Sequence, residues 1–284
     1  MQNEAWFRVG SFITVLAVMM IWEAVLPNRK SPVANTKRWV SNFFLVFCGA
    51  LVGRLLVPAG LAFVALFANE NSFGLLNLIA LPHWVAIIVA MILLDALIYW
   101  QHRIFHRVPI LWRLHRVHHA DPHLDASTGL RFHPVEIALS LGVKGLGILL
   151  LGVPVEAILL FEIVLNGSAI FNHSNIRLPA WLEKPLRTII VTQAMHRIHH
   201  SQKVSETDSN FGFCLSIWDR LFLSYCNEAK AGDKDIKLGL KEYTREADNT
   251  GIGTVLMMPF KAVPLTETAL KNTVVKTEST QFKP

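Results

Sequence analysis

Three short stretches of this chain carry an unusual density of imidazole: "HRIFH" from His102 to His106, "HRVHH" from His115 to His119, and "HRIHH" from His196 to His200. On a helix, positions i, i+3 and i+4 share a face. His115, His118 and His119 then point one way, as do His196, His199 and His200, while His102 and His106 form a two-imidazole version. Neutral imidazole is the commonest protein ligand for transition metals. Eight imidazoles exceed what one tetrahedral zinc can use, so the spacing predicts two metal ions sharing the set.

Other polar residues fall into register with these motifs. Asp95, Tyr99, His102 and His106 lie at i, i+4, i+7 and i+11, a narrow helical stripe. Asp95 is about 10 Å along the helix from His102, and it is read as a group standing behind the ligands that orients an imidazole or another polar group. The competing reading pairs it with Arg54 or Lys144, because ionisable groups in membrane spans seek partners. Glu162, Asn166 and His173 form a similar stripe, and His173 in "FNHSN" is the candidate ninth ligand. His133 in "RFHPVE" and His123 in "DPHLD" are read as interfacial or hydrogen-bonded. His83, about 28 Å along a helix from His102, belongs at the opposite face of the membrane.

The elements that must carry these groups are apolar. Of 284 residues, 52% are hydrophobic and only 17% charged, where soluble domains run nearer a quarter charged; mean hydropathy is +0.39. The formal charge of +6 does not imply nucleic acid, since Lys and Arg flank the apolar runs and do not interleave with aromatics on a polar face. Cys48, Cys214 and Cys226 form no CxxC pair and no even framework, which excludes a disulfide scaffold or thiolate metal site. The opening "MQNEAWFRVG" lacks a basic n-region and a small-residue cleavage site, so the first run is expected to remain as an anchor.

Five runs follow: Val9–Leu26, Val40–Ala68, Trp84–Trp100, Val135–Leu151 and Val155–Phe171. About twenty apolar residues cross a bilayer. The last two are short, joined by "LGVP", and are expected to form a tight hairpin that crosses only in part. "NRKSPVANTKRW" is basic and "ANENSFGLLN" is not, so the first loop is cytoplasmic by the positive-inside rule. Counting onward puts all three histidine motifs on that side. An amphipathic helix is expected around Trp181 to Met195. The expected fold is all-α: an integral membrane bundle of four to five runs with a cytoplasmic, histidine-rich helical cap holding a dinuclear metal site. Residues 1–134 bring the first membrane helices and two motifs, and 135–250 bring the hairpin and third motif of the same catalytic domain. Residues 251–284 are read as a flexible tail, with little to bury from about Thr266.

Taken together, "HRIFH", "WRLHRVHHADPHLDASTGLRFHPVE", "FNHSNIRLP", "HRIHH", "DSNFG" and "WDRLF" resemble the eight-histidine signature of the fatty acid hydroxylase superfamily, also called the sterol desaturase family. The resemblance covers about Leu94 to Tyr225. It departs at "WDRLFLSY", where a Gly-Thr is expected after the Phe. The resemblance implies an integral membrane, non-haem di-iron oxygenase that uses O2 to hydroxylate or desaturate a lipid. On it, His102, His106, His115, His118, His119, His196, His199 and His200 are iron ligands, joined by His173. An external electron donor is implied, a b-type cytochrome, ferredoxin or flavoprotein reductase, because the chain offers no GxGxxG after a strand and no cysteine set for an iron–sulfur cluster. A basic cytoplasmic face would suit an acidic donor.

Two other classes compete. A membrane metal transporter wants ionisable residues through the full bilayer thickness, whereas these group at one face. A membrane zinc hydrolase fits poorly without HExxH or a paired acidic base. Substrate candidates range over sterols, carotenoids, fatty acyl chains, sphingoid lipids and ether lipids, and the ligand set does not choose among them.

Overall fold

In the computed structural model, which describes residues 2–31, 35–243 and 245–262, the apolar runs become long helices. They are α1 (Gln2–Val25), α2 (Asn35–Leu56), α3 (Leu61–Glu70), α4 (His83–Arg107), α5 (Pro109–His119), α6 (Pro134–Leu151) and α7 (Val155–His173). No strand occurs among the described residues, only two isolated bridges, and the fold is all-α. Five segments are long and apolar enough to cross a membrane.

Two expectations change here. The run from Val40 to Ala68 is not one helix: it breaks between α2 and α3, where Pro58 has no N–H to give and Gly60 adopts φ 75°. The α6–α7 pair is longer than a partial hairpin requires. Its helices have 18 and 19 residues, about 27 and 28 Å at 1.5 Å per residue, close to the roughly 30 Å of a hydrocarbon core.

The helices pack through small residues. Ala65, Ala90 and Ala157 are fully buried among Leu94, Ile148 and Phe161, where α3, α4, α6 and α7 meet; such residues let helix backbones approach closely where no hydrophobic effect drives association. α1 lies along α7. The outward faces stay apolar, with Ile21, Phe47, Leu55 and Trp84 exposed, as surfaces against lipid tails require. At the end away from the histidines, Gly74 touches the α6–α7 turn. A Cβ on Gly74 would stand 2.1 Å from the Gly152 nitrogen, so only glycine fits.

At the other end the bundle carries its polar cap. The chain turns at Val108 into α5, whose Pro109 sits in the first helical turn, where the missing N–H costs nothing. Beyond α7 come α8 (Ala180–Ile189) and α9 (Gln193–His199). The single amphipathic helix expected over Trp181–Met195 is thus divided, with Thr192 capping α9 through a 3.4 Å bond from the Met195 amide. Arg38 on α2 anchors the loop between α5 and α6: its Nε donates to Asp121 at 2.6 Å and its Nη1 to Asp125 at 2.7 Å, all buried. Removing either partner would leave an uncompensated buried charge. The stretch 251–262, placed in a tail from its sequence, is instead structured: a helix over Ile252–Met257 buries Val255, and Met258 packs with Leu45 and Val117. The remainder of that expectation, 263–284, lies outside the described residues.

Candidate metal centre

The nine histidines assemble into two groups. His102 and His106 from α4, His115 and His119 from α5, and His199 from α9 form the first. His118 from α5, His173 at the end of α7, and His196 and His200 at the end of α9 form the second. Within each group one ring nitrogen per residue lies within 4.8 Å of all the others. The sequence placed each HxxHH on one helical face, but the structure divides it: the i,i+4 pair enters one group and the middle histidine enters the other. α5 and α9 do so reciprocally, which interlocks the two groups.

The outward nitrogens fix the tautomers. His102 Nδ1 donates to the Phe211 carbonyl at 2.8 Å and His199 Nδ1 to the Ser209 carbonyl at 2.7 Å. His115 Nδ1 meets Glu136 Oε1 at 2.7 Å, and His106 Nδ1 lies 3.6 Å from Asp208. In the second group His118 donates to Arg131 O at 3.2 Å and His173 to Ala169 O at 2.6 Å. A carbonyl accepts only from an N–H, so His102, His199, His118 and His173 carry their proton on Nδ1 and aim a lone pair inward through Nε2.

The inward atoms have no protein partner in the first group: Nε2 of His102, His106, His115, His119 and His199 are all buried and unbonded. In the second group His173 Nε2 is 3.0 Å from His118 Nε2 and 3.0 Å from His196 Nε2. Buried polar atoms left unsatisfied are costly, and converging lone pairs repel unless a cation stands among them. The donor set therefore fits two metal ions, with neutral imidazoles as ligands and no thiolate or carboxylate in either group. Imidazole suits iron, zinc, copper and nickel alike.

Burial and neighbouring imidazoles keep the rings neutral. Burial drives the His199 pKa down to about 3 against the upward pull of its bond to Ser209. His118, His119, His196 and His200 are pushed well below the ordinary value, first by burial and then by adjacent imidazoles. Neutral imidazole is the ligating form.

The supporting loop was legible only as motif fragments. In "DSNFG", Asn210 takes φ 52° and donates to the Met195 and Cys226 carbonyls at 3.0 and 2.9 Å. Asp219 of "WDRLF" accepts from the Phe211 and Gly212 amides at 2.7 and 2.8 Å. Together they hold the carbonyls of Ser209 and Phe211 against two ligands. Sequence reasoning missed Glu136, the carboxylate behind His115. Its position two residues into α6, in "RFHPVE", was the available signal.

Of the two kinds of partner expected for Asp95, an imidazole or another polar group, the structure shows the second. Asp95 touches no histidine; it accepts from the Cys214 and Leu215 amides at 3.1 and 3.0 Å and from Trp218 Nε1 at 2.8 Å. Seven residues separate it from His102, two helical turns, which is too far for contact. Arg54 does not pair with it either, donating instead to the Pro58 carbonyl. The 211–218 segment links Asp95 to the histidines, since the Phe211 carbonyl of that segment accepts from His102. His123 and His133 also lie outside both groups: His123 Nε2 meets Asn175 at 3.4 Å, and His133 Nδ1 caps α6. His83, 3.5 Å from Glu156, sits at the far end of α4.

Two openings reach the first group. A cavity of about 430 Å³ rises into the membrane-spanning part, walled by His102, His115 and Glu136 at its polar end and by Leu45, Phe105 and Ile98 along its length. A second cleft of about 400 Å³ reaches His106 past Trp112 and Asp208.

The fatty acid hydroxylase family pattern matches residues 87–224, a span that contains all nine histidines. The chain is 28% identical to the ornithine lipid hydroxylase OlsE of Rhizobium tropici over 81% of its own length and 70% of that protein. It is 30% identical to the alkylglycerol monooxygenase of Homo sapiens and 28% identical to that of Danio rerio. Those matches cover 44% and 46% of this chain but only 27% and 28% of the relatives. No solved structure matches. The motifs, the paired imidazole groups and the family pattern agree, and residues 87–224 carry the pattern of the fatty acid hydroxylase family.

Proposed function

We propose that this chain is a multi-pass membrane di-iron oxygenase that hydroxylates an unactivated C–H bond of a lipid. The observation that carries the reading is the meeting of two all-imidazole groups with the polar end of an apolar cavity. Relatives named as a lipid hydroxylase and as monooxygenases support hydroxylation over desaturation. The overall balance is R–H + O2 + 2e⁻ + 2H⁺ giving R–OH + H2O.

Iron held by the nine histidines would supply the O2 chemistry that no side chain can. The chain's own part is positional. Phe211, Ser209, Arg131 and Ala169 hold the imidazoles through backbone carbonyls, which fixes ring orientation and tautomer. Glu136 makes His115 a more basic ligand by accepting its Nδ1 proton. The apolar wall of the cavity takes the lipid chain and excludes water. His102 and His115 belong to both the wall and the first group, so the reacting carbon would lie beside that group.

The two electrons come from a separate redox protein. The basic loop around Arg29 and Lys37 supports a cytoplasmic position for the histidine end, where such donors are found. The cleft past Trp112 opens the first group toward that side.

The test compares lipids extracted from cells making the intact protein with those making His199→Ala. A lipid heavier by one oxygen only with the intact protein is expected. A species lighter by two hydrogens would replace hydroxylation with desaturation. Purified intact protein that holds zinc, with no lipid difference, would sink the oxygenase reading.

A further inference from the structure

The wall of the membrane cavity contains two charged side chains, Glu136 and Lys144, both on α6. Glu136 is engaged by His115. Lys144 has no hydrogen-bond or ion-pair partner among the described residues. Glu162, the acidic group whose charge it feels, has its carboxylate taken by Arg8. That pair neutralises itself and leaves Lys144 as the uncompensated cation of the cavity.

Its depth makes this unusual. Lys144 lies ten residues into α6, about 15 Å from the histidine end and near the middle of a roughly 30 Å core. Ionisable side chains at such depth are expensive and mark ligand or ion sites by default. The cavity walls are otherwise apolar apart from Gln101 and Ser140, which bond each other, and Asn166 on α7. Asn166 also has no hydrogen-bond partner among the described residues. The cavity thus has two polar ends, the imidazoles beside Glu136 and the Lys144–Asn166 end, about 12 Å apart by helical rise.

Resting on the hydroxylase reading, we propose that Lys144 and Asn166 select a lipid that carries a carboxylate. The carboxylate would be held at Lys144, with the aliphatic chain running down α6 to His102 and His115. One ammonium and one amide N–H match the single charge and two oxygens of a carboxylate. A phosphate dianion would leave charge uncompensated in an apolar cavity. A neutral ester would leave the ammonium unpaired.

The test uses the full-length protein in detergent with a fatty acid whose own conjugated chain fluoresces, and with its methyl ester. Binding of each is titrated for the unaltered protein, Lys144→Arg and Lys144→Met. The acid should bind the unaltered protein and Lys144→Arg about ten- to hundred-fold more tightly than Lys144→Met, the weight of a charge-assisted hydrogen bond. The ester should bind Lys144→Met at least as tightly as the unaltered protein, because no ammonium is left unpaired there, which also reports that Lys144→Met is folded with its cavity intact. Equal affinity of acid and ester for the unaltered protein would overturn the proposal. So would undiminished acid binding by Lys144→Met, the result expected if the carboxylate sits on a metal, and so would a cavity that takes neither probe. Iron content of the same preparations tests the oxygenase reading separately, because the comparison of acid with ester requires no turnover.

Discussion

His118 and His173 face each other Nε2 to Nε2 across 3.0 Å, while both give their Nδ1 protons to backbone carbonyls, those of Arg131 and Ala169. Neither ring has a proton left for the other. Two lone pairs at this distance in a buried site repel unless a cation stands between them, so this pair is where a second metal ion would fit on geometry alone.

His173→Ala should therefore empty the second group while sparing the first, whose five imidazoles it does not touch. Iron in the purified variant should fall from about two to about one per chain, measured by elemental analysis against protein concentration, since losing one imidazole opens a four-ligand site far more than a five-ligand one. Two irons retained in His173→Ala would remove His173 from the ligand set.

Glu136 makes a different kind of contribution. It touches His115 Nδ1 at 2.7 Å and no inward nitrogen, so it acts on the metal only through the ligand's basicity and orientation. Partners of this kind typically change metal affinity by about 10- to 100-fold. Glu136→Gln preserves shape and a carbonyl acceptor but removes the charge. Its iron should be stripped by a chelator at lower concentrations than in the unaltered protein, with helical content by circular dichroism unchanged. Identical chelator resistance would assign Glu136 to packing alone.

Much of this was readable in the chain, and the unreadable parts share a cause. Helical periodicity, a local rule, put the imidazoles of each motif on one face, and the loop charges put the three motifs at one side of the membrane. The division of each HxxHH between two groups depends on how α5 and α9 oppose each other across the cap, which no local rule contains. Asp95 shows the same limit: its stripe with His102 is real, yet its partners Cys214, Leu215 and Trp218 come from 119 to 123 residues away. The tail boundary failed for a related reason. The stretch 252–258 is apolar enough to pack, but only the presence of Leu45 and Val117 opposite it makes burial possible.

The departure at "WDRLFLSY" has a structural cost confined to one residue. Leu223, standing where the family pattern led us to expect glycine, holds φ 57° with its side chain 92% exposed. Ser224 takes the place of the expected threonine and still donates its hydroxyl to Asp219 at 2.7 Å. A left-handed conformation costs an L-residue about 1–2 kcal/mol, offset by the roughly 0.5–1 kcal/mol of extra chain entropy that glycine loses on folding. Leu223→Gly should stabilise the protein by about 0.5–1 kcal/mol, read as a higher melting temperature in detergent. A lower melting temperature would mean that the Leu223 side chain is held by lipid or by a partner.

Acid should destabilise the cap, and the sign follows from the direction of the shifts. An imidazole in the unfolded chain titrates near 6.5, whereas burial holds the folded His199 near 3. Between those values the unfolded state binds a proton that the folded state refuses. The stabilisation is complete above about pH 6.5 and is lost as pH falls toward 3. His118, His119, His196 and His200 are shifted in the same direction, so their losses overlap, each with a limiting slope of about 1.4 kcal/mol per pH unit. Chelated protein should melt progressively lower from pH 7 to pH 5, and iron-loaded protein should release metal over the same interval as protons compete for Nε2. A melting temperature that stays level or rises on acidification would show that these imidazoles already carry protons in the folded metal-free protein, and that the lone pairs converging at His118 and His173 are bridged by hydrogen.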